Sequence, residues 1–201
     1  MEFPRDVILS EGEKLKFSTP LVEIEVEFKF GRLQYVRAPL GKETEPTEKV
    51  LLFDRTQLRL SLLPVYPERP VIFKPEDQVT VLPGERGRFC LGFELGVGLK
   101  VASADTFIEE IRPAPLKNSY WGPPTEGILA FQAHSGVYSD PVELARQTGP
   151  TVAVVPVELS NQREEPQEVK RCLVPLRELS LYLTSEGNLV YEIVRLEQLN
   201  E

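Results

Sequence analysis

The chain has 201 residues, with 31 acidic against 23 basic side chains and a formal charge of −8. That charge repels a phosphate backbone, and the densest basic run is only Lys170-Arg171, so neither nucleic acid nor an anionic membrane surface is an expected partner. The apolar share of 41% is that of an ordinary globular chain, and no apolar run approaches the roughly 18 residues of a membrane span.

The N-terminal run MEFPRDVILSEGEK carries charges within its short apolar stretch, so no secretory signal is expected and the default location is cytoplasmic. Leu21 to Phe30 alternates. Val22, Ile24, Val26, Phe28 and Phe30 point one way and Glu23, Glu25, Glu27 and Lys29 the other, which predicts a strand with one buried and one wet face. Gly31-Arg32 turns the chain into LQYV, its hairpin partner. Ala38 to Lys49 is charged and contains proline, the composition of an exposed loop. VLLFD and TQLRLSLL read as strands, with Leu58, Leu60 and Leu62 on one face. Pro64, Pro67 and Pro70 favour a stiff extended connection that separates an N-terminal layer from the rest.

The strongest pattern follows. From Phe89 to Val101 every odd position is apolar, which predicts one long core strand, while its even face carries Gly92, Gly96 and Gly98. Curvature or close packing of another segment explains those glycines better than a ligand does. DTFIEEIR reads as a strand or a short helix, the β-rich surroundings favouring a strand, and ILAFQA forms another strand after the GPP turn. Asp140-Pro141-Val142-Glu143 has the cap, first-turn proline and acidic residue of a helix start, and Gly149 ends it within two turns. VAVVPVEL returns to strand, with Pro156 placing it at an edge or a bulge. VKRCLVP, LSLYLT and LVYEIVRL complete roughly ten to thirteen short strands, which must bury their apolar sides against one another. The expected fold is all-β, a β-sandwich of jelly-roll or Ig-like topology with at most one or two short helices. It is expected as a single β-rich domain over 1–201, with a possible division into a layer at 1–63 and a main sandwich at 71–201.

Reactive groups are sparse. His134 is the sole imidazole, and its neighbour Ser135 points away from it on a strand; Ser139, with Asp140 or Glu143, is the remaining way to a triad, without a G-x-S-x-G elbow. Asp105, Glu109, Glu110 and Glu94 are candidate paired carboxylates that read more simply as solvated face residues. The glycines at 92, 96 and 98 have no helix after them and make no phosphate loop. Cys90 and Cys172 lie within predicted strands, where a disulfide between facing strands is geometrically possible; a reducing compartment favours two buried free thiols instead, and with one His they make no zinc site. No metal, cofactor or catalytic residue is expected. What survives is an aromatic surface of Tyr120, Trp121, Phe131 and Tyr138 beside His134, with Arg112 as a charged anchor, suited to a sugar or peptide. Structural packing of Trp121 and Tyr120 at the end of the sandwich is the preferred alternative.

In GRLQYVR at Gly31 to Arg37, PGERGRFCLGF at Pro83 to Phe93 and YWGPPTEGILAF at Tyr120 to Phe131, the chain resembles an uncharacterised prokaryotic, mainly archaeal, all-β family of unknown function, over most of its length. The resemblance implies a prokaryotic source and supplies no activity or catalytic residue. One Met, few Asn and many Glu and Pro fit a heat-adapted protein. The expected function is a non-catalytic domain that binds another protein or its own copies. A small-molecule or carbohydrate-binding module and an enzyme of unrecognised class are the alternatives. Exposed edge strands invite pairing, and proline near several strands is the protection against it.

Overall fold

A computed structural model of the chain describes residues 3–19, 22–40, 45–102, 107–113, 115–123 and 125–196. In chain order the elements are β1 (Arg5–Ser10), β2 (Lys14–Ser18), β3 (Val22–Lys29), β4 (Arg32–Pro39), β5 (Thr47–Leu52), β6 (Gln57–Val65), β7 (Val71–Pro75), β8 (Thr80–Val81), β9 (Arg86–Glu94), β10 (Gly96–Val101), β11 (Phe107–Ile111), β12 (Lys117–Trp121), β13 (Ile128–Ser135), α1 (Pro141–Gln147), β14 (Val152–Ser160), β15 (Gln167–Glu168), β16 (Cys172–Val174), a single 3-10 turn at Leu176–Glu178, β17 (Leu181–Leu183), β18 (Leu189–Tyr191) and β19 (Val194–Leu196). The fold is all-β, and α1 is the one α-helix among the described residues, too short to cross a membrane. The chain divides into two compact units, Met1–Val65 with Val97–Ala114 and Tyr66–Gly96 with Pro115–Glu201.

The first unit is a sandwich of two four-stranded sheets, ordered β1-β6-β10-β11 and β2-β3-β4-β5. Period-2 alternation puts Ile24, Val26, Phe28, Leu33 and Tyr35 on the inner face of one sheet and Leu58, Leu60, Leu62 and Leu99 on that of the other, all fully buried. Each such aliphatic or aromatic side chain contributes about 1.5–3 kcal/mol by leaving water. The second sheet is a meander of antiparallel hairpins. Three expectations need correction here. Phe30 does not continue the apolar face of β3; it sits in a two-residue turn with Gly31, both at positive φ, and its ring lies in solvent. The loop expected at Ala38–Lys49 is shorter, since Ala38 and Pro39 close β4 and Thr47 to Lys49 open β5, while 41–44 lie outside the described residues. Pro64 lies inside β6, past Leu62, where β1 has ended and a proline opposes no β1 amide.

In the second unit β12-β13-β7-β16 form one sheet, and β17, β18, β14 and β19 with β9 form another. β14 pairs antiparallel with β9 along its whole length. Pro156 therefore does not mark an edge. β14 is a central strand whose other neighbour changes from β18, opposite Ala153 and Val154, to β19, opposite Val157 to Leu159, and Pro156 falls in the gap where no donor is required. Asp140 caps α1 by accepting from the Val142 amide at 2.8 Å, with Pro141 in the first turn as the sequence predicts. Leu144 of α1 packs on Cys90 and Val154, and it fits because Gly92 has no side chain: a Cβ there would stand 3.3 Å from both Leu144 and Val152.

The Phe89–Val101 pattern is buried at every odd position as expected, but it is not one strand. It breaks at Leu95, whose amide donates to the Thr151 carbonyl at 2.9 Å, leaving β9 in the second unit and β10 in the first. Gly98 makes room for the Phe107 ring, which a Cβ would approach to 2.4 Å. Cys90 and Cys172 are both free and buried. Burial, with a smaller push from Asp140, raises the Cys90 thiol to about 11, and burial raises Cys172 to about 12. Neither thiol should react with a disulfide reagent in the native protein at pH 8, and both should react in denaturant; a thiol titrating within minutes without denaturant is the contrary result.

Candidate functional site

The residues singled out by sequence fall in both units. Arg112 follows β11 in the first unit, beside Glu110 at 3.9 Å, and the other five belong to the second. In the β12–β13 hairpin, Trp121 is opposite Ile128 and Tyr120 opposite Leu129, while Asn118 is opposite Phe131 and Lys117 opposite Gln132. Because cross-strand partners share a face and neighbours alternate, Tyr120 and Phe131 lie on one side of the sheet and Trp121 and His134 on the other. Two of the rings carry a cation of their own. The Arg171 guanidinium stacks on Trp121 at 4.8 Å, and that of Arg69 on Phe131 at 5.5 Å while donating to Asn118. Tyr138 is elsewhere again, bridged by backbone hydrogen bonds to Cys90 and packed over the core under α1.

His134, Ser135 and Asp140, considered for catalysis, each make a structural hydrogen bond. His134 is exposed and shares a 2.8 Å hydrogen bond with Gln132 on its own strand. The Ser135 hydroxyl accepts from the Gly92 amide and donates to the Gly136 carbonyl. Asp140 is the helix cap. Asp105 lies outside the described residues, and burial alone raises the pKa of Glu94. Among the described residues no group of three His, Cys, Asp or Glu side chains is placed to hold a metal.

Glu109 is not a solvated face residue. It shares the inner face of its sheet with Leu99 and Ile111 and reaches across the sandwich to Arg37 at 2.8 Å and to Lys49. Lys49 points inward from β5, opposite Tyr35, with its ammonium 5.7 Å from the Tyr35 ring centre. Burial first, and the Glu109 charge second, push the Tyr35 phenol well above its ordinary value, while Arg37 pulls it down. This polar group fastens β5 to the opposite sheet.

The outer side of β5 is the feature that sequence reasoning missed. β5 ends its sheet, and among the described residues no strand pairs with its far edge. The Phe53 amide donates to the Gly31 carbonyl at 2.7 Å, so odd residues of β5 turn their backbone groups to β4. By alternation, Glu48, Val50 and Leu52 present their N–H and C=O groups to the open edge. Their side chains share the solvent face, where Val50 is 60% and Leu52 75% exposed. The other edge, β2, is guarded in the usual way by Lys14 and Lys16 on its solvent face. Phe30, in the turn beside the end of β5, is 79% exposed and holds φ +52, a conformation that suits Asn, Asp or Gly. A Phe kept there carries both backbone strain and an exposed ring. Phe30→Asn should therefore raise the melting temperature by roughly 2–4 °C, read by thermal denaturation, since relieving a left-handed non-Gly residue is worth about 1 kcal/mol; an unchanged or lower midpoint would show the ring to be structural.

Two units of antiparallel-rich sheet, with no group of three metal-ligating side chains among the described residues, define an all-β protein. Residues 5–201 match the family model described as Protein of unknown function (DUF432), and the chain belongs to that family. No curated protein and no solved structure matches it.

Proposed function

We propose that the protein works by non-catalytic association with another polypeptide, through strand addition at β5. The observation that carries this reading is the β5 edge, unpaired among the described residues, with Val50 and Leu52 exposed on it. A strand laid along that edge satisfies the outward backbone groups of Glu48, Val50 and Leu52 and covers two large apolar side chains, which is how extended peptides bind sheet edges. Glu109 supports the same reading. An inward lysine on an edge strand ordinarily blocks pairing, because a new neighbour would bury its charge, and here Lys49 has a counter-charge in the Glu109 carboxylate, which it shares with Arg37. The test is fluorescence anisotropy with a labelled synthetic peptide, PTEKVLLFD, which copies residues 46–54. Saturable binding is expected, weakened at least tenfold by Val50→Lys with Leu52→Lys and unaffected by Tyr120→Ala in the other unit. No binding, or binding indifferent to the β5 variant, would sink the proposal.

A further inference from the structure

We infer that the strand accepted by β5 is β5 of a second copy of this chain, paired antiparallel about Val50. This rests on the reading of β5 as a strand-accepting edge and adds the identity and register of its occupant.

Symmetry narrows the choices. Two copies joined edge to edge by a two-fold axis normal to the sheet must keep outward side chains facing outward, so even residues pair with even and odd with odd. Three registers remain that use the strand's centre. Centring on Lys49 sets the two lysines face to face. Centring on Leu51 sets Glu48 opposite Asp54 of the partner copy and leaves a shorter pairing, because β5 ends at Leu52. Centring on Val50 pairs Glu48 to Leu52 with the same residues of the second copy, with Val50 against Val50 and Leu52 against Glu48. Like charges directly opposed are destabilising, and of the three registers the Val50-centred one opposes none, so it is selected.

Charge complementarity points the same way. In β4, Arg32 is the residue opposite Leu52, and both Arg32 and Glu48 are exposed. Among the described residues neither forms an ion pair. In the Val50-centred register each Arg32 lies on the same face as Glu48 of the other copy, with only Leu52 between them. A long guanidinium side chain spans the roughly 10 Å of two strand spacings to reach that carboxylate. Two symmetric ion pairs then bracket an apolar centre made of Val50 and Leu52 from both copies. The sheet becomes eight-stranded, and β2, with its lysines, is left as its only exposed kind of edge. A contact made by one short strand falls below about 1,200 Å², so the dimer is reversible and concentration-dependent.

The experiment combines cross-linking with charge reversal. Antiparallel hydrogen-bonded partners stand about 5.5 Å apart at Cα, within reach of a disulfide, whereas the two Leu52 residues would be separated by four residues of strand, about 13 Å. Under mild oxidation Val50→Cys should give a covalent dimer and Leu52→Cys at least tenfold less, with the buried native thiols silent. By sedimentation equilibrium, Arg32→Glu and Glu48→Arg should each weaken the dimer by roughly tenfold, and the double reversal should restore it. Equal cross-linking at both positions, a protein monomeric up to millimolar concentration, or no rescue by the double reversal overturns the self-pairing. If the labelled peptide still binds a monomeric chain, self-pairing alone has failed; if the peptide does not bind either, the strand-accepting edge has failed with it.

Discussion

Gly31→Ala should lower the stability of the protein by roughly 2–4 kcal/mol, the sum of a left-handed backbone that alanine resists and a contact that cannot relax. Gly31 has φ +66, and a Cβ built on it would lie 2.6 Å from the Phe53 carbonyl oxygen. That oxygen belongs to backbone, so no rotamer change relieves the clash. The same glycine accepts the Phe53 amide at 2.7 Å, which ties the end of β5 to the β3–β4 turn. Gly12 is the control: its φ is +83, but nothing stands within 4 Å of its missing Cβ. Gly12→Ala should cost only the conformational part, about 1 kcal/mol. Chemical denaturation followed by circular dichroism measures both, and equal losses at the two positions would refute the clash. Because the clash is with the end of β5, Gly31→Ala should also weaken association in proportion to its effect on the edge, whereas Gly12→Ala should leave association alone.

The sequence made the regular elements readable wherever a local rule was also the tertiary rule. β3 shows its buried face because Ile24, Val26 and Phe28 alternate with charges on a sheet that has one wet side. The start of α1 is readable because a cap is a contact between neighbours in sequence. Phe30 breaks the rule for a physical reason: apolar periodicity carries no mark of where a strand ends in a turn, and a turn with two positive φ values would have been signalled by Asn or Asp, not Phe. Pro156 misleads because proline excludes a donor, not a central position, and a change of neighbour beside β14 also needs no donor. The division of Phe89–Val101 at Leu95 is invisible because two cores select the same residues as one. The candidate site was the least readable part. VLLFD is the composition of a core strand, and only the strand order places it at the end of a sheet with Val50 and Leu52 uncovered. The rare residues between Tyr120 and Asp140 attract notice by type, but the hairpin register assigns them to opposite faces.

Glu109→Gln should destabilise the first unit by about 1–2 kcal/mol and weaken β5 association by a larger factor than that loss suggests. The stability cost is set below the 3–5 kcal/mol typical of a fully buried broken pair because the Lys49 and Arg37 side chains are 42% and 33% exposed and keep part of their hydration. Association is more sensitive, because pairing removes the remaining water from the edge. Lys49 would then face a new strand with its counter-charge gone, the arrangement by which edge strands normally refuse partners. Three variants separate this from general loosening of the sheet. Lys49→Met should retain association, since Arg37 still pairs with Glu109 and no charge is buried. Glu109→Gln should lose it at least tenfold. Adding Lys49→Met to Glu109→Gln should recover most of the association without recovering the stability lost with the Arg37–Glu109 pair. Thermal melts and sedimentation of the same three proteins measure the two effects separately. Parallel changes in both quantities would mean that Glu109 only holds the sandwich together, whereas recovery of association alone would show that the carboxylate keeps the edge able to pair.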